Sequence, residues 1–237
     1  MEVKDKVIIV TGAARIGKVV AEDLAKIGGK LVISYMNNQP DIKAGNVLFV
    51  KADLTNEEDV KNLVSETLKK FGQIDALVHM AANYEKTEWK DLNHETWNKS
   101  MRPIARTSFL ITSAVGTELL KNSGEVKGKI ILFSDWSVSK KPYKDYLPYN
   151  VAKSAVEGMT RALAIELAPG VQVNCIAPGP ILKPPGLSEE ENNEVLSRTP
   201  LKRWGGEEEI SKAVQFLLTS DFVTGQIIPI DGGRSIA

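Results

Sequence analysis

Tyr149 and Lys153 lie four residues apart in the run YNVAKSAVEGMTRALAIELA. On a helix that spacing stacks both side chains on one face. A free phenol titrates near ~10 and a free ammonium near ~10.4. A lysine cation a few ångström from the phenol favours the phenolate and lowers the tyrosine pKa. The pair then reads as a proton donor and acceptor usable near neutral pH. Taken alone, the same spacing also fits an exposed Tyr and Lys on an ordinary amphipathic helix. Val151, Ala155, Met159, Leu163 and Leu167 supply the apolar positions, and Pro169-Gly170 ends the run.

The rest of the chain supplies elements that can position such a pair. Val7–Val10 is a continuous apolar run, as in a parallel strand buried on both faces. Thr11-Gly-Ala-Ala-Arg-Ile-Gly17 follows, then a helix to about Ile27 closed by Gly28-Gly29, then a strand over Leu31–Ser34. Strand, glycine turn, helix and strand form the βαβ unit in which backbone amides at the helix N-terminus meet a pyrophosphate. Arg15 at that N-terminus opposes the macrodipole and fits better with an anion bound; a solvated surface arginine is the other reading. After the second strand the run Ser34-Tyr-Met-Asn-Asn38 has no acid to hold ribose hydroxyls, so a 2′-phosphate is not repelled and Arg15 could pair with it. NADP(H) is therefore expected ahead of NAD(H). The crossover Asn37–Asn46 has room for about one turn.

Further strands are expected at Val47–Val50, Ala76–Met80, Ile130–Phe133, Val171–Ala177 and Ile227–Ile230. Helices are expected from a Thr55-x-x-Glu58 capping box to about Phe71, over Arg106–Leu120, from Tyr149, and over Glu207–Leu218. The Trp89–Trp97 stretch reads as short helix and loop. Residues 180–206, rich in Pro, Gly and Glu, read as a lid. This alternation predicts one α/β domain over residues 1–237, a Rossmann-type doubly wound parallel sheet of about seven strands. Ligands on such sheets bind beyond the carboxyl ends of the strands. Gly12, Asp53, Ala81, Ser134, Asp135 and Pro178 all follow strand ends, so they should share one crevice with Tyr149 and Lys153.

Composition narrows the classes. The 237 residues carry 30 acids and 30 bases, so nothing points to nucleic acid or an anionic membrane surface. The one cysteine, Cys175, sits in an apolar run and reads as a buried, inert thiol. No metal-ligand spacing occurs, and no metal is expected. No apolar run reaches the ~18 residues of a spanning helix, and no signal peptide precedes the first strand. A soluble, cytoplasmic protein is expected.

These motifs in this order resemble the short-chain dehydrogenases/reductases along nearly the whole chain. The matches are TGAARIG, Asp53-Leu54, an acceptor after the fifth strand, Tyr149-x-x-x-Lys153, Pro178-Gly179, Thr199-Pro-Leu-Lys-Arg-Trp-Gly205 and Thr224-Gly-Gln…Asp231-Gly-Gly233. The resemblance implies hydride transfer with NAD(P)H, Tyr149 as proton donor, and Lys153 on the nicotinamide ribose. It places the cofactor on Gly12, Arg15, Ile16, Gly17, Ser34, Tyr35, Asp53, Leu54, Ala81, Ala82, Lys153, Pro178, Gly179 and Ile181. It also implies a small-molecule substrate and a homotetramer or homodimer built on the Arg106–Leu120 and Tyr149–Leu167 helices.

Within the family the chain looks most like the pteridine and dihydromonapterin/dihydrofolate reductases. Asp135 stands where most members carry a catalytic serine and pteridine reductases carry aspartate. Tyr84 stands where those enzymes stack an aromatic on the pterin, and Arg15 falls at the phosphate or pterin edge. The tail Phe222-Val-Thr-Gly-Gln…Pro229-Ile-Asp-Gly-Gly-Arg234 and Val32-Ile-Ser-Tyr35 are similar to theirs. An aspartate beside an activated tyrosine suits ring nitrogens: it accepts from an amino or N–H group while a C=N bond is protonated. A carbonyl reductase instead wants neutral hydroxyl donors toward a developing oxyanion. Asp135 could alternatively cap the following loop, Tyr84 could pack on the lid, and Ser134 could bind a carbonyl.

Four departures stand out. The glycine turn is one residue short. The usual Asn-Asn-Ala-Gly reads His79-Met-Ala-Ala82. The family's catalytic asparagine falls on Ile104, which closes a proton relay through that position. The second crossover is truncated. The competing readings are a carbonyl reductase resembling 3-oxoacyl-carrier-protein reductase, and a non-catalytic dinucleotide-binding member.

Overall fold

The computed structural model describes residues 1–138 and 140–237. Among the described residues seven strands run parallel: β1 Val7–Thr11, β2 Lys30–Tyr35, β3 Val47–Lys51, β4 Ala76–His79, β5 Gly128–Phe133, β6 Val171–Pro178 and β7 Ile227–Ile230. Their spatial order is β3-β2-β1-β4-β5-β6-β7. The order reverses between β1 and β4, which opens a crevice above their carboxyl ends. Strands β1, β4 and β5 are buried at every position, as continuous apolar runs in a doubly covered sheet require.

Among the described residues the α-helices are α1 Ile16–Lys26, α2 Glu57–Phe71, α3 His94–Ser100, α4 Thr107–Leu119, α5 Leu147–Glu166, α6 Glu189–Ser197 and α7 Glu207–Thr219, of which α1, α2, α4, α5 and α7 pack on the sheet. Side chains alternate across each strand, so Ile9, Leu77, Leu132 and Cys175 join one core with α2, α4 and α5. Ile8, Val10, Val78 and Ile131 join a second core with α1 and α7. Ile8 and Ile9 are completely buried, each contributing roughly 1.5–3 kcal/mol of transfer free energy.

The expected elements are present, with three refinements. Asn56, not Thr55, caps α2: its side chain accepts from the Glu58 N–H at 2.8 Å. Thr55 turns back instead, donating N–H and hydroxyl to Asp53 at 2.9 and 2.8 Å. The Trp89–Trp97 stretch resolves into a 3₁₀ turn, Trp89–Asp91, and the start of α3. The helix before α4 widens into a π-helical segment, Met101–Arg106, around Pro103. Proline supplies no N–H to the helical ladder, and the Thr107 and Ser108 hydroxyls take up the carbonyls of Pro103 and Ile104, each at 2.7 Å. Between β2 and β3 no helix forms over residues 36–46.

Residues 180–206 leave the sheet through a closed neck. Gly205 and Gly206 donate their N–H groups to the carbonyls of Pro180 and Ile181 at 2.9 and 3.0 Å. The excursion carries α6, capped by a reciprocal Ser188–Glu191 pair, and α6 buries none of its residues.

Candidate active site

Helix α5 begins two residues before Tyr149, with Pro148 in its first turn, and buries Tyr149, Lys153 and Glu157 along one stripe. The Tyr149 hydroxyl donates to Asp135 Oδ2 at 2.8 Å. The other carboxylate oxygen of Asp135 accepts the Ser137 N–H at 2.9 Å. Asp135 therefore caps its loop and meets the phenol at once. Lys153 Nζ donates to the Phe133 carbonyl at 2.8 Å and lies 6.0 Å from the centre of the Tyr149 ring.

This geometry changes the electrostatic expectation for Tyr149. Burial, then the Asp135 charge and hydrogen bond, hold its pKa far above the ordinary phenol value rather than below it. Burial also lowers the Lys153 pKa, against the pull of Asp135. In this arrangement Tyr149 is a protonated donor.

Ser134 is not brought to Tyr149. It shares a face with Leu132 two residues earlier, so its hydroxyl points at α5 and donates to Glu157 Oε1 at 2.9 Å, only 4% exposed. That placement keeps the Ser134 hydroxyl away from the Tyr149–Asp135 hydrogen bond. Ile104 is buried in the same core as Tyr149, so the relay position is apolar.

Tyr84 does reach the pair. Its ring meets the Tyr149 ring edge-on, with centroids 4.9 Å apart. One face stacks on Tyr146 at 4.6 Å and an edge contact joins Tyr143 at 5.9 Å. Tyr84 remains 58% exposed, so part of the ring is open to a ligand. Tyr143 in turn accepts from Trp136 Nε1 at 2.8 Å. Tyr143, Tyr146 and Trp136 formed no part of the expected site; their signal was the three-residue spacing Tyr143–Tyr146–Tyr149 leading into the helix.

The glycine turn after β1 is built by close backbone approach. Gly12 has φ +70°, and a Cβ there would lie 2.6 Å from the Ala81 nitrogen. A Cβ on Gly17 would lie 2.2 Å from the Gly12 carbonyl oxygen. Helix α1 starts with Arg15 at φ +49°, without a side-chain cap and without an acid in its first turn. Its N-terminal dipole is thus left for an external anion, which fits a dinucleotide pyrophosphate. Arg15 and Ala82 are exposed, Ile16, Tyr35, Asp53 and Ala81 half-buried, and Ser34, Leu54 and Ile181 buried. Gly179 packs on Asp231, where a Cβ would meet the Asp231 Cβ at 2.4 Å. Pro178, Gly179 and Ile181 thus follow β6 into the lid neck, on the side of the crevice away from Arg15.

His79 ends β4 at 2% exposure. Its Nδ1 pairs with the Thr11 hydroxyl at 2.7 Å, while Nε2 is buried without a partner among the described residues. Burial, assisted by Lys153, pushes its pKa down to about 3. A depressed histidine contributes stability that is present above the unfolded value and lost as pH falls. We expect folding free energy to decline from about pH 6.5 toward pH 3, by several kcal/mol from this group. Urea titrations across that range should show His79→Asn flattening the acid limb; an unchanged limb would remove His79 as its source. Cys175 is fully buried, with its thiol pushed up to about 12 by burial, so it is the inert side chain expected.

Comparison with known proteins gives the class. A family model described as enoyl-(acyl carrier protein) reductase matches residues 12–235. A dihydromonapterin reductase from Escherichia coli O6:K15:H31 is 31% identical, over 97% of this chain and 96% of its own length. A 3-oxoacyl-[acyl-carrier-protein] reductase from Buchnera aphidicola is also 31% identical, over 98% of each chain. A short-chain type dehydrogenase/reductase structure from Mycobacterium ulcerans superposes with a TM-score of 0.90 at 27% identity, covering 100% of this chain and 92% of that one. The sheet and its crevice therefore belong to an NAD(P)-dependent oxidoreductase acting on small molecules. The chain is a member of the short-chain dehydrogenase/reductase family. No helix among the described residues is long and apolar enough to cross a membrane.

Proposed function

We propose that the protein is an NADPH-dependent reductase of a C=N bond in a pterin- or dihydrofolate-type substrate. The observation that carries this reading is the 2.8 Å hydrogen bond from Tyr149 to Asp135, beside the half-open ring of Tyr84. Tyr84 offers a planar heterocycle a stacking surface. Asp135 offers its N–H edge an acceptor. A bound NADPH supplies the hydride. Tyr149 then delivers its proton to the ring nitrogen. While Asp135 faces the phenol alone, its charge keeps that proton in place. Once substrate N–H groups engage Asp135, its hold on the proton weakens and transfer becomes favourable. Lys153 offsets the phenolate that remains until solvent reprotonates it.

NADPH is preferred over NADH in this reading. Arg15 is exposed at the helix N-terminus, it has no ion pair among the described residues, and the residues directly after β2, Met36-Asn-Asn38, include no acid to repel a 2′-phosphate. The remaining cofactor contacts are those of Gly12, Ile16, Gly17, Ser34, Tyr35, Asp53, Leu54, Ala81, Ala82, Pro178, Gly179 and Ile181. Exposed Phe109 on α4 and Leu147 and Ile165 on α5 support a homodimer or homotetramer through those helices. Gel filtration at monomer size would remove that part.

The second reading is a carbonyl reductase, favoured by the equal identity to the 3-oxoacyl-[acyl-carrier-protein] reductase. The test is NADPH oxidation with dihydrobiopterin, dihydrofolate and an acetoacetyl thioester offered in parallel, with NADH as control. Turnover of the pterins without the thioester is expected. Turnover of the thioester alone would make Asp135 a bystander and overturn the first reading.

A further inference from the structure

Arg234 touches two parts of the molecule, the lid helix and the loop that carries Asp135. Its Nη1 donates to the Val195 carbonyl in α6 at 3.0 Å. Its guanidinium lies 5.3 Å from the centre of the Trp136 ring. The backbone around the arginine is held by a turn. Asp231 accepts the N–H groups of Gly233 and Ser235 at 2.9 and 2.6 Å, fixing the turn that presents it. Among the described residues no carboxylate lies within ion-pair distance of Arg234; burial lowers its pKa first and the like charge of Arg198 next, while Tyr143 and Glu194 act in the opposite sense. The two faces it touches are therefore its main partners.

Those faces differ in how firmly they are held. Trp136 is fixed: its indole N–H goes to Tyr143, its backbone N–H to the Pro178 carbonyl at 3.2 Å, and it is 9% exposed. It sits between Asp135 and Ser137, the carboxylate that accepts from Tyr149 and the N–H that orients that carboxylate. Helix α6 is not fixed in this way. It buries no residue, and rises from the closed neck of residues 180–206. Its polar tethers include Arg234 and the Trp204 indole N–H on Asn192 at 2.9 Å. A surface element with few buried contacts opens at low cost.

We propose that Arg234 is a positioning residue that locks the lid helix to the catalytic loop, so that α6 closure and the Asp135–Tyr149 geometry form one coupled state. A helix drawn away from the crevice removes the carbonyl that aims Arg234. The stack on Trp136 then loosens, and with it the turn that presents the Asp135 carboxylate. A substrate that holds the lid down thereby tightens the pair that protonates it. The kinetic half of this proposal rests on the Asp135–Tyr149 reading; the mechanical half does not.

The test uses the full chain with Arg234→Met, Arg234→Lys and Trp136→Leu, and reads lid opening by a glutamate-specific protease cutting within α6. Arg234→Met should raise the cleavage rate about tenfold, the size of one partly desolvated cation–π contact. Arg234→Lys should restore part of the protection. Trp136→Leu should raise cleavage by less than Arg234→Met, which also loses the Val195 hydrogen bond, and the double variant should be no worse than Arg234→Met alone, because Trp136 acts on the lid through Arg234. Steady-state kinetics should show a fall in kcat with the NADPH dissociation constant unchanged. Equal cleavage in wild type and Arg234→Met, or additive effects in the double variant, would overturn the coupling. Should Arg234→Met not fold, Arg234→Lys and Trp136→Leu carry the same comparison. Altered cleavage with unaltered kcat on an active substrate would overturn the catalytic half alone.

Discussion

Tyr149→Phe lowers kcat by about 10²–10⁴, the range of a lost general acid, while the NADPH dissociation constant stays within about twofold. The substitution removes one oxygen from a side chain that is 5% exposed and whose ring packs against Tyr84. The aromatic framework survives, so the loss falls on proton delivery. Fluorescence titration with NADPH and single-turnover reduction separate the two quantities. A variant that keeps wild-type kcat would place the proton donor elsewhere and overturn the assignment.

Asp135→Asn is the second large effect. The carboxamide keeps the size of the side chain and an acceptor for the Ser137 N–H, so the loop should hold. It removes the charge beside the phenol. With that charge gone the Tyr149 pKa should fall from its raised position, because Asp135 is its largest cause after burial. Pterin turnover should drop by about 10²–10³ through loss of the charged acceptor for the substrate N–H edge. A difference spectrum at alkaline pH reads the phenol, and stopped-flow reduction reads the rate. Full pterin activity in Asp135→Asn would sink the role given to the carboxylate. A lowered phenol titration with undiminished turnover would leave Asp135 as an electrostatic neighbour only.

Much of the fold was legible because buried parallel strands need continuous apolar runs, and Val7–Val10, Leu31–Ser34 and Ile130–Phe133 are of that kind. The Tyr149–Lys153 spacing was also readable, since a helix fixes it locally. What the phenol hydrogen does was not. Lys153 meets the Phe133 carbonyl, and Asp135 arrives from a loop fourteen residues earlier. Those are tertiary facts that no spacing encodes. The choice between Ser134 and Asp135 could have been made. Adjacent residues at a strand end face opposite sides, and Ser134 shares the α5-facing side of Leu132. The capping box at Thr55 failed by one residue because two neighbouring side chains could each cap, and Asp53 claimed the threonine. The Tyr84 stack on Tyr146 joins two loops that are remote in the chain, so only the local half of the aromatic cluster was visible beforehand.

Strand β7 closes one side of the sheet and, among the described residues, pairs with β6 alone. The Gly179 N–H meets the Ile230 carbonyl and the Cys175 N–H meets the Gln226 carbonyl, so even-numbered residues face β6 and Ile227 and Pro229 face outward. Proline has no N–H to offer, and the outer rim of β7 is left with Ile227 as its one outward donor. A second chain could not extend the ladder there without leaving a carbonyl unmatched. Proline at this rim guards the protein against open-ended fibre growth and leaves side-chain packing as the route by which two copies can meet across it.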